Sequence, residues 1–134
     1  MKIILKKLSK SDKNDKKYKA EFEIIENDKI KKKTTHFGFN DPKDKKNDYT
    51  LHNDIERRNR YINRHWTDLR TMNPSKAGYL SMTILWNKKN IKDAINDYNN
   101  KLKTFNKTGK FPLSKLLKEG GVKENDIKKL KIII

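Results

Sequence analysis

YKAEFEII, residues 18–25, decides the fold, because apolar side chains recur in it at every second position. The alternating residues are Tyr18, Ala20, Phe22 and Ile24. A period of two is typical of a β-strand that buries one face and leaves the other in water. The lysine and glutamate side chains between the apolar residues would line the wet face. The pattern therefore predicts a half-buried strand.

The segments on either side extend this strand into a sheet. MKIILKKL (1–8) is predicted to form a strand before it, and KIKKKTTHFGF (29–39) a strand after it. Asn27-Asp28 is a candidate turn between the second and third strands. We therefore expect an antiparallel β-meander with one wet face over residues 1–39.

The first predicted helix begins near Leu51, after a cap at Thr50 or Asp48, and runs to about His65. Its apolar and basic side chains separate on a helical wheel. Leu51, Ile55 and Ile62 fall within about 40° of one another, at about 100° per residue. The opposite side carries Arg57, Arg60, Tyr61 and Arg64. The pattern predicts one face docked on the sheet and a separate Arg/Tyr face for solvent or a ligand.

Two further helices are predicted. Residues 74–86 also fit a strand, but a helix is favoured because Pro74 suits the first helical position. The third helix covers 91–105 after a cap at Asn90, and its apolar residues have the clearest helical period in the chain.

The predicted fold class is α+β, with an N-terminal antiparallel β-meander packed with about three α-helices and a charged C-terminal tail. Residues 1–107 are expected to form one compact domain, with the meander at 1–39 and the helical part at 50–107. Residues 108–134 are expected to form a basic C-terminal extension, holding a short helix at 113–118 and a Gly-Gly break.

The composition points to a polyanionic partner. The formal net charge is +17, and a compact domain with such an excess repels itself unless an anion relieves the repulsion. Lysine is spread along the chain, whereas all five arginines lie between Arg57 and Arg70. Arginine offers a planar fork that binds phosphate through two hydrogen bonds and stacks on bases. The arginine cluster is therefore better evidence for nucleic-acid binding than the bulk charge.

The predicted nucleic-acid contacts centre on the first helix and the start of the third. They are His52, Arg57, Arg58, Arg60, Tyr61, Arg64, His65, Arg70, Lys88, Lys89 and Lys92. Tyr61 and Trp66 could stack on bases. Trp66 and Trp86 are nonetheless interpreted as core residues first, because one follows a helix end and the other an apolar run.

Motifs for enzyme chemistry are weak. The chain has no cysteine, its three histidines are scattered, and no phosphate-binding glycine loop occurs. Asp48, Asp54 and Glu56 could bind Mg²⁺ in a nuclease, but acids at a helix start have a simpler role in capping. The sequence does not exclude a catalytic Ser-His-Asp set. We predict a non-enzymatic protein with no catalytic residues, metal or cofactor.

Several strings resemble a family of proteins from large nucleocytoplasmic DNA viruses of algae and amoebae. They are HFG (36–38), DYTLHND followed by RYINRH (48–65), and AGYLS followed by LWNK (77–88). The family consists of small, basic, largely uncharacterised proteins, and the resemblance covers about residues 36–102. The matching positions are His36, Gly38, Asp48, Tyr49, His52, Arg57, Arg60, Tyr61, Arg64, His65, Trp66, Gly78, Trp86, Asn87 and Lys88. Lys89 stands where the family often has proline, and the spacing from Trp66 to Asn73-Pro74 is longer here.

The resemblance implies a viral origin and a place beside the packaged genome, in the virion interior or in the viral factory of the host cytoplasm. Together with the arginine cluster, it predicts a largely sequence-nonspecific protein that binds double-stranded DNA and condenses or organises the viral genome. Self-association is expected, since compaction often needs bridging, and no membrane partner is expected. The alternatives are a basic internal scaffold or minor capsid protein that binds acidic proteins, and a nucleic-acid-processing enzyme.

Overall fold

The computed structural model describes all 134 residues. A three-stranded sheet is followed by six α-helices, with a 3-10 turn and a π-helical turn between them. The strands are β1 Lys2–Lys10, β2 Lys16–Glu26 and β3 Lys29–Phe39, and the helices are α1 Tyr49–His52, α2 Ile55–His65, α3 Ala77–Leu80, α4 Ile91–Thr108, α5 Ser114–Glu119 and α6 Glu124–Lys128. The predicted α+β class with an N-terminal antiparallel sheet is confirmed.

The sheet has the order β1-β2-β3, and both strand pairs are antiparallel. In β2, Ala20 and Phe22 are buried, as their alternation predicts. Asn27 and Asp28 both adopt positive φ angles, 52° and 62°, which is the geometry of a tight two-residue hairpin turn. The predicted strand and its turn are therefore confirmed.

One side chain connects α4 directly to the backbone of β1, an edge strand of the sheet. The amide of Asn106 in α4 accepts from the backbone N–H of Ile3 and donates to its carbonyl, both at 2.8 Å. Asn106 thus replaces a neighbouring strand at that point of β1. This satisfies two backbone groups that an edge strand would otherwise leave open, and it fixes α4 along the sheet.

The first predicted helix is two helices. Asn53, with a left-handed φ of 54°, ends α1, and the carboxylate of Asp54 accepts from two backbone N–H groups to begin α2. Leu51 and Ile55 are therefore not on one continuous helix, and both are exposed. The prediction that they form a docked apolar face with Ile62 is wrong, and only Ile62 is buried.

The other two predicted helices are present. Residues 77–85 are helical, although α3 begins three residues after Pro74 and continues as a π-helical turn over Ser81–Leu85. Helix α4 starts at its predicted cap, where the side chain of Asn90 accepts from the N–H of Asp93 at 2.9 Å. None of the helices is long and apolar enough to cross a membrane.

Residues 108–134, predicted as a basic extension, are part of the same compact body. Their apolar side chains join one cluster of 24 buried residues that also contains the inner face of the sheet. Phe111 is fully buried and forms a parallel bridge with Ile133. The segment closes a part of the core that the sheet and α4 leave open, so its lysines lie on the surface of a folded unit.

Candidate nucleic-acid interface

A cleft of about 360 Å³ opens between α2, the end of β3 and the π-helical turn. Helix α2 contributes Arg57 and Arg64 to its lining, β3 contributes Phe39, and the residue after the π-helical turn contributes Trp86. Lys17 also lines the cleft and is paired with Asp48. The cleft therefore combines cationic and aromatic side chains, the two kinds of group that bind nucleic acid without sequence preference.

One wall of the cleft is a stack of aromatic rings. The rings of Tyr61 and Trp86 are nearly parallel, with centroids 4.1 Å apart and an interplanar angle of 3°. His65 stacks on the other side of Tyr61 at 4.2 Å. Burial raises the pKa of the Tyr61 hydroxyl. Tyr61 is thus half-buried between two protein rings, although it lines the cleft together with Arg57 and Arg64. Because both faces of its ring are covered, it is poorly placed for the predicted stacking on bases.

Phe39 is a candidate contact that the sequence interpretation missed. It is separated from the buried Phe37 by Gly38, whose φ of +81° interrupts the regular strand geometry. It stands beyond the edge of the core and is 61% exposed. A large exposed aromatic side chain beside arginines is suited to stacking on a base. The sequence HFGF indicates only that a strand ends there. The exposure of Phe39 depends on where the packed core stops, which the sequence does not show.

The five arginines have different environments. Arg57 is paired with Asp44 at 3.0 Å, and this hydrogen bond lowers the pKa of the Asp44 carboxyl. Arg60 and Arg64 are exposed and form no ion pair. Arg70 lies over the ring of Trp66, with its guanidinium carbon 5.2 Å from the ring centroid.

Arg58 points into the body of the protein. It is buried, bonds to Glu119 at 2.7 Å, and its guanidinium carbon lies 5.5 Å from the centroid of the Tyr49 ring. It therefore does not share the exposed side of α2 with Arg60 and Arg64. The remaining predicted cations, Lys88 and Lys89, are exposed before α4, and Lys92 is exposed in its first turn.

His52 is half-buried beneath the aromatic stack, with its ring centroid 5.3 Å from that of Trp86. Its Nδ1 accepts a hydrogen bond from the backbone N–H of Asp54 at 2.9 Å. Its Nε2 is buried without a partner. These contacts make His52 a support for the start of α2, which leaves it poorly placed for the predicted contact with nucleic acid.

A pH effect follows from this position. Burial, followed by the charge of Arg57, lowers the pKa of His52 from 6.5. The unfolded chain then takes up a proton before the folded one does, so this group stabilises the fold above about pH 6.5 and loses that effect as the pH falls. We expect urea denaturation to show a smaller loss of stability between pH 7.5 and 5.5 in His52→Gln than in the wild type. Equal losses would contradict this role.

The serine, histidine and acidic residues considered for catalysis are not arranged as a catalytic site would require. Ser11 Oγ lies 2.7 Å from His36 Nδ1, and Asp12 lies 3.9 Å from the same nitrogen. A serine triad needs its serine and its carboxylate on different ring nitrogens. Asp48 and Asp54 cap α1 and α2. No three His, Asp or Glu side chains are grouped closely enough to hold a metal ion.

The matched part of the chain runs from the middle of β1 to the last residue of α2. Residues 6–65 match the model of a family of unknown function (DUF5754). The match includes Phe39 and the arginines of α2, and it ends before Trp86. No curated protein and no solved structure matches the chain.

Proposed function

We propose that this is a non-enzymatic, largely sequence-nonspecific DNA-binding protein that condenses or organises a viral genome. The observation that carries the proposal is the exposed side of α2, where Arg60 and Arg64 have no carboxylate partner within the protein. A guanidinium without an intramolecular partner is free to bind phosphate through two hydrogen bonds.

The spacing on α2 suits a phosphate backbone. From Arg57 to Arg64 the helix rises about 10.5 Å, at 1.5 Å per residue, so these arginines can reach successive phosphates. Phe39 and His65 stand at the adjacent cleft, where they could stack on bases. Contacts of this kind recognise the backbone and the ring faces, so they support binding with little sequence preference.

The proposal is tested by two triple variants that each remove three positive charges. Arg57→Ala, Arg60→Ala and Arg64→Ala together should weaken binding to generic double-stranded DNA far more than Lys123→Ala, Lys128→Ala and Lys131→Ala. If each arginine neutralises one phosphate, the negative slope of log K against log salt should become shallower by about 2.7 in the arginine variant, at about 0.9 per phosphate. Gel shifts across a salt series measure both effects.

The lysine variant is the matched control, because its three side chains are exposed and belong to the segment after α5 and not to α2. Equal losses in the two variants would reject the arginine face and leave only attraction by bulk charge. Binding no stronger than that of a charge-matched peptide would instead favour the scaffold alternative. Both variants should be checked for unchanged thermal unfolding before their binding is compared.

A further inference from the structure

A second basic pocket, of about 190 Å³, lies on another side of α2 from the cleft. It is bounded by α2, by the residues that precede α4, by α4 itself and by α5. Its polar lining residues are Arg58, Asn87, Lys88, Lys101, Lys115 and Glu119. No motif in the sequence indicates this pocket, because its residues come from four separate segments.

Arg58 is the innermost charged group of the pocket. Its side chain is only 9% exposed, and one terminal nitrogen donates to Glu119 at 2.7 Å. Its Nε is buried with no hydrogen-bond partner. Burying a donor without a partner is unfavourable, so an acceptor supplied by a ligand would stabilise the site.

The lining has an excess of positive charge. Four cationic side chains face one carboxylate, that of Glu119. Lys101 is also bonded to Asp97 at 2.6 Å, and the same carboxylate oxygen accepts from the amide of Asn87. Lys88 and Lys115 form no ion pair. Two free lysines therefore stand beside a guanidinium that is only partly satisfied.

We propose that this pocket binds a phosphate group. Arg58 would hold two phosphate oxygens with its planar fork, while Lys88 and Lys115 neutralise the remaining charge. Glu119 occupies the place of the anion in the unbound protein, and it is 44% exposed on its own side chain, so it can move into solvent. The phosphate could be a free ion or small phosphate ester, or a phosphodiester of a polynucleotide. The site does not depend on the proposed function of the exposed arginines.

Thermal unfolding in inorganic phosphate tests the site, with chloride at matched ionic strength as the reference. A ligand that binds only the folded state raises the melting temperature with its concentration. In the wild type, phosphate should raise the melting temperature more than chloride does. In Lys88→Gln/Lys115→Gln the apparent affinity should fall by at least about tenfold. The exposed pair Lys123→Gln/Lys128→Gln removes the same charge elsewhere and should respond like the wild type.

Glu119→Gln separates a binding site from a purely structural ion pair. The variant leaves Arg58 without its counter-ion, so it should melt at a lower temperature in phosphate-free buffer. It also removes the competing carboxylate, so its rise in melting temperature with phosphate should exceed that of the wild type. An ion pair with only a structural role predicts the lower melting temperature without the larger rise.

A dinucleoside monophosphate distinguishes the two sources of phosphate. If it also raises the melting temperature, and Lys88→Gln/Lys115→Gln abolishes the rise, the pocket accepts a phosphodiester. If only inorganic phosphate acts in this way, the pocket takes the free ion or a monoester, and the proposal again holds. Equal effects of phosphate and chloride, or equal responses of the two lysine pairs, would overturn it.

Discussion

Replacing Trp86 with alanine should lower the free energy of unfolding by about 3–5 kcal/mol, the range for a large buried aromatic side chain. Trp86 is buried, and Tyr61 stacks on its ring at 4.1 Å. His52 packs against the same ring at 5.3 Å. The variant would leave a cavity and would also release the aromatic stack that holds α2 beside the cleft.

Trp66→Ala is the matched control, since it makes the same chemical change at the other tryptophan. Trp66 is only half-buried, and Arg70 lies over its ring. The free energy of unfolding should therefore fall clearly less in Trp66→Ala than in Trp86→Ala. Urea denaturation followed by far-ultraviolet circular dichroism measures both variants without depending on tryptophan fluorescence. A larger loss in Trp66→Ala would contradict the central role of the Trp86 stack.

Gly120→Ala should lower the free energy of unfolding by about 3 kcal/mol, the upper range for overpacking a core. A Cβ added at Gly120 would lie 2.6 Å from the Cβ of Ile62, and closer still to its Cγ2. Ile62 is fully buried in α2, and a helical Cβ cannot rotate away. Helix α2 and the end of α5 would have to separate.

Gly109→Ala is the control for this effect. Gly109 has a φ of +77°, and a Cβ there would meet nothing within 4 Å. Gly109→Ala should lower the free energy of unfolding by about 1–2 kcal/mol, because the alanine would have to adopt a left-handed backbone conformation. Chemical denaturation of both variants compares steric crowding with backbone strain. A loss at Gly109 equal to or above that at Gly120 would contradict the close packing of α2 on the end of α5.

The Trp86 and Gly120 predictions both concern contacts that position α2, and the two contacts involve different residues of the helix. Trp86 supports α2 on the cleft side through Tyr61, and Gly120 allows the end of α5 to approach it through Ile62. The positions of Arg60 and Arg64 depend on both contacts. A loss of DNA binding in either variant would therefore need a stability measurement beside it before the arginines are held responsible.

The sheet could be predicted from the sequence because its signals are local. A strand of period two places every second side chain on one face, and Asn27-Asp28 accepts the positive φ angles of the turn. The same holds for α4, whose Asn90 cap and helical period lie within the helix itself.

The first helix shows where such local inference fails. A helical wheel assumes an unbroken helix, and Asn53 breaks it between Leu51 and Ile55. Asp54 then starts a new helix with a different buried side, on which Arg58 and Ile62 lie. Asparagine tolerates the left-handed conformation, so Asn53 was a signal for the break, but the same residue is also compatible with a continuous helix.

The sequence by itself determined the three strands, helix α4 and the concentration of arginine in one segment, and it led us to expect an anionic partner. Only the tertiary structure decided what each arginine does. Arg58 is drawn inward by Glu119, 61 residues further along the chain, whereas Arg60 and Arg64 meet no carboxylate. Burial and ion pairing depend on contacts between distant segments, and a pattern of neighbouring residues does not contain them.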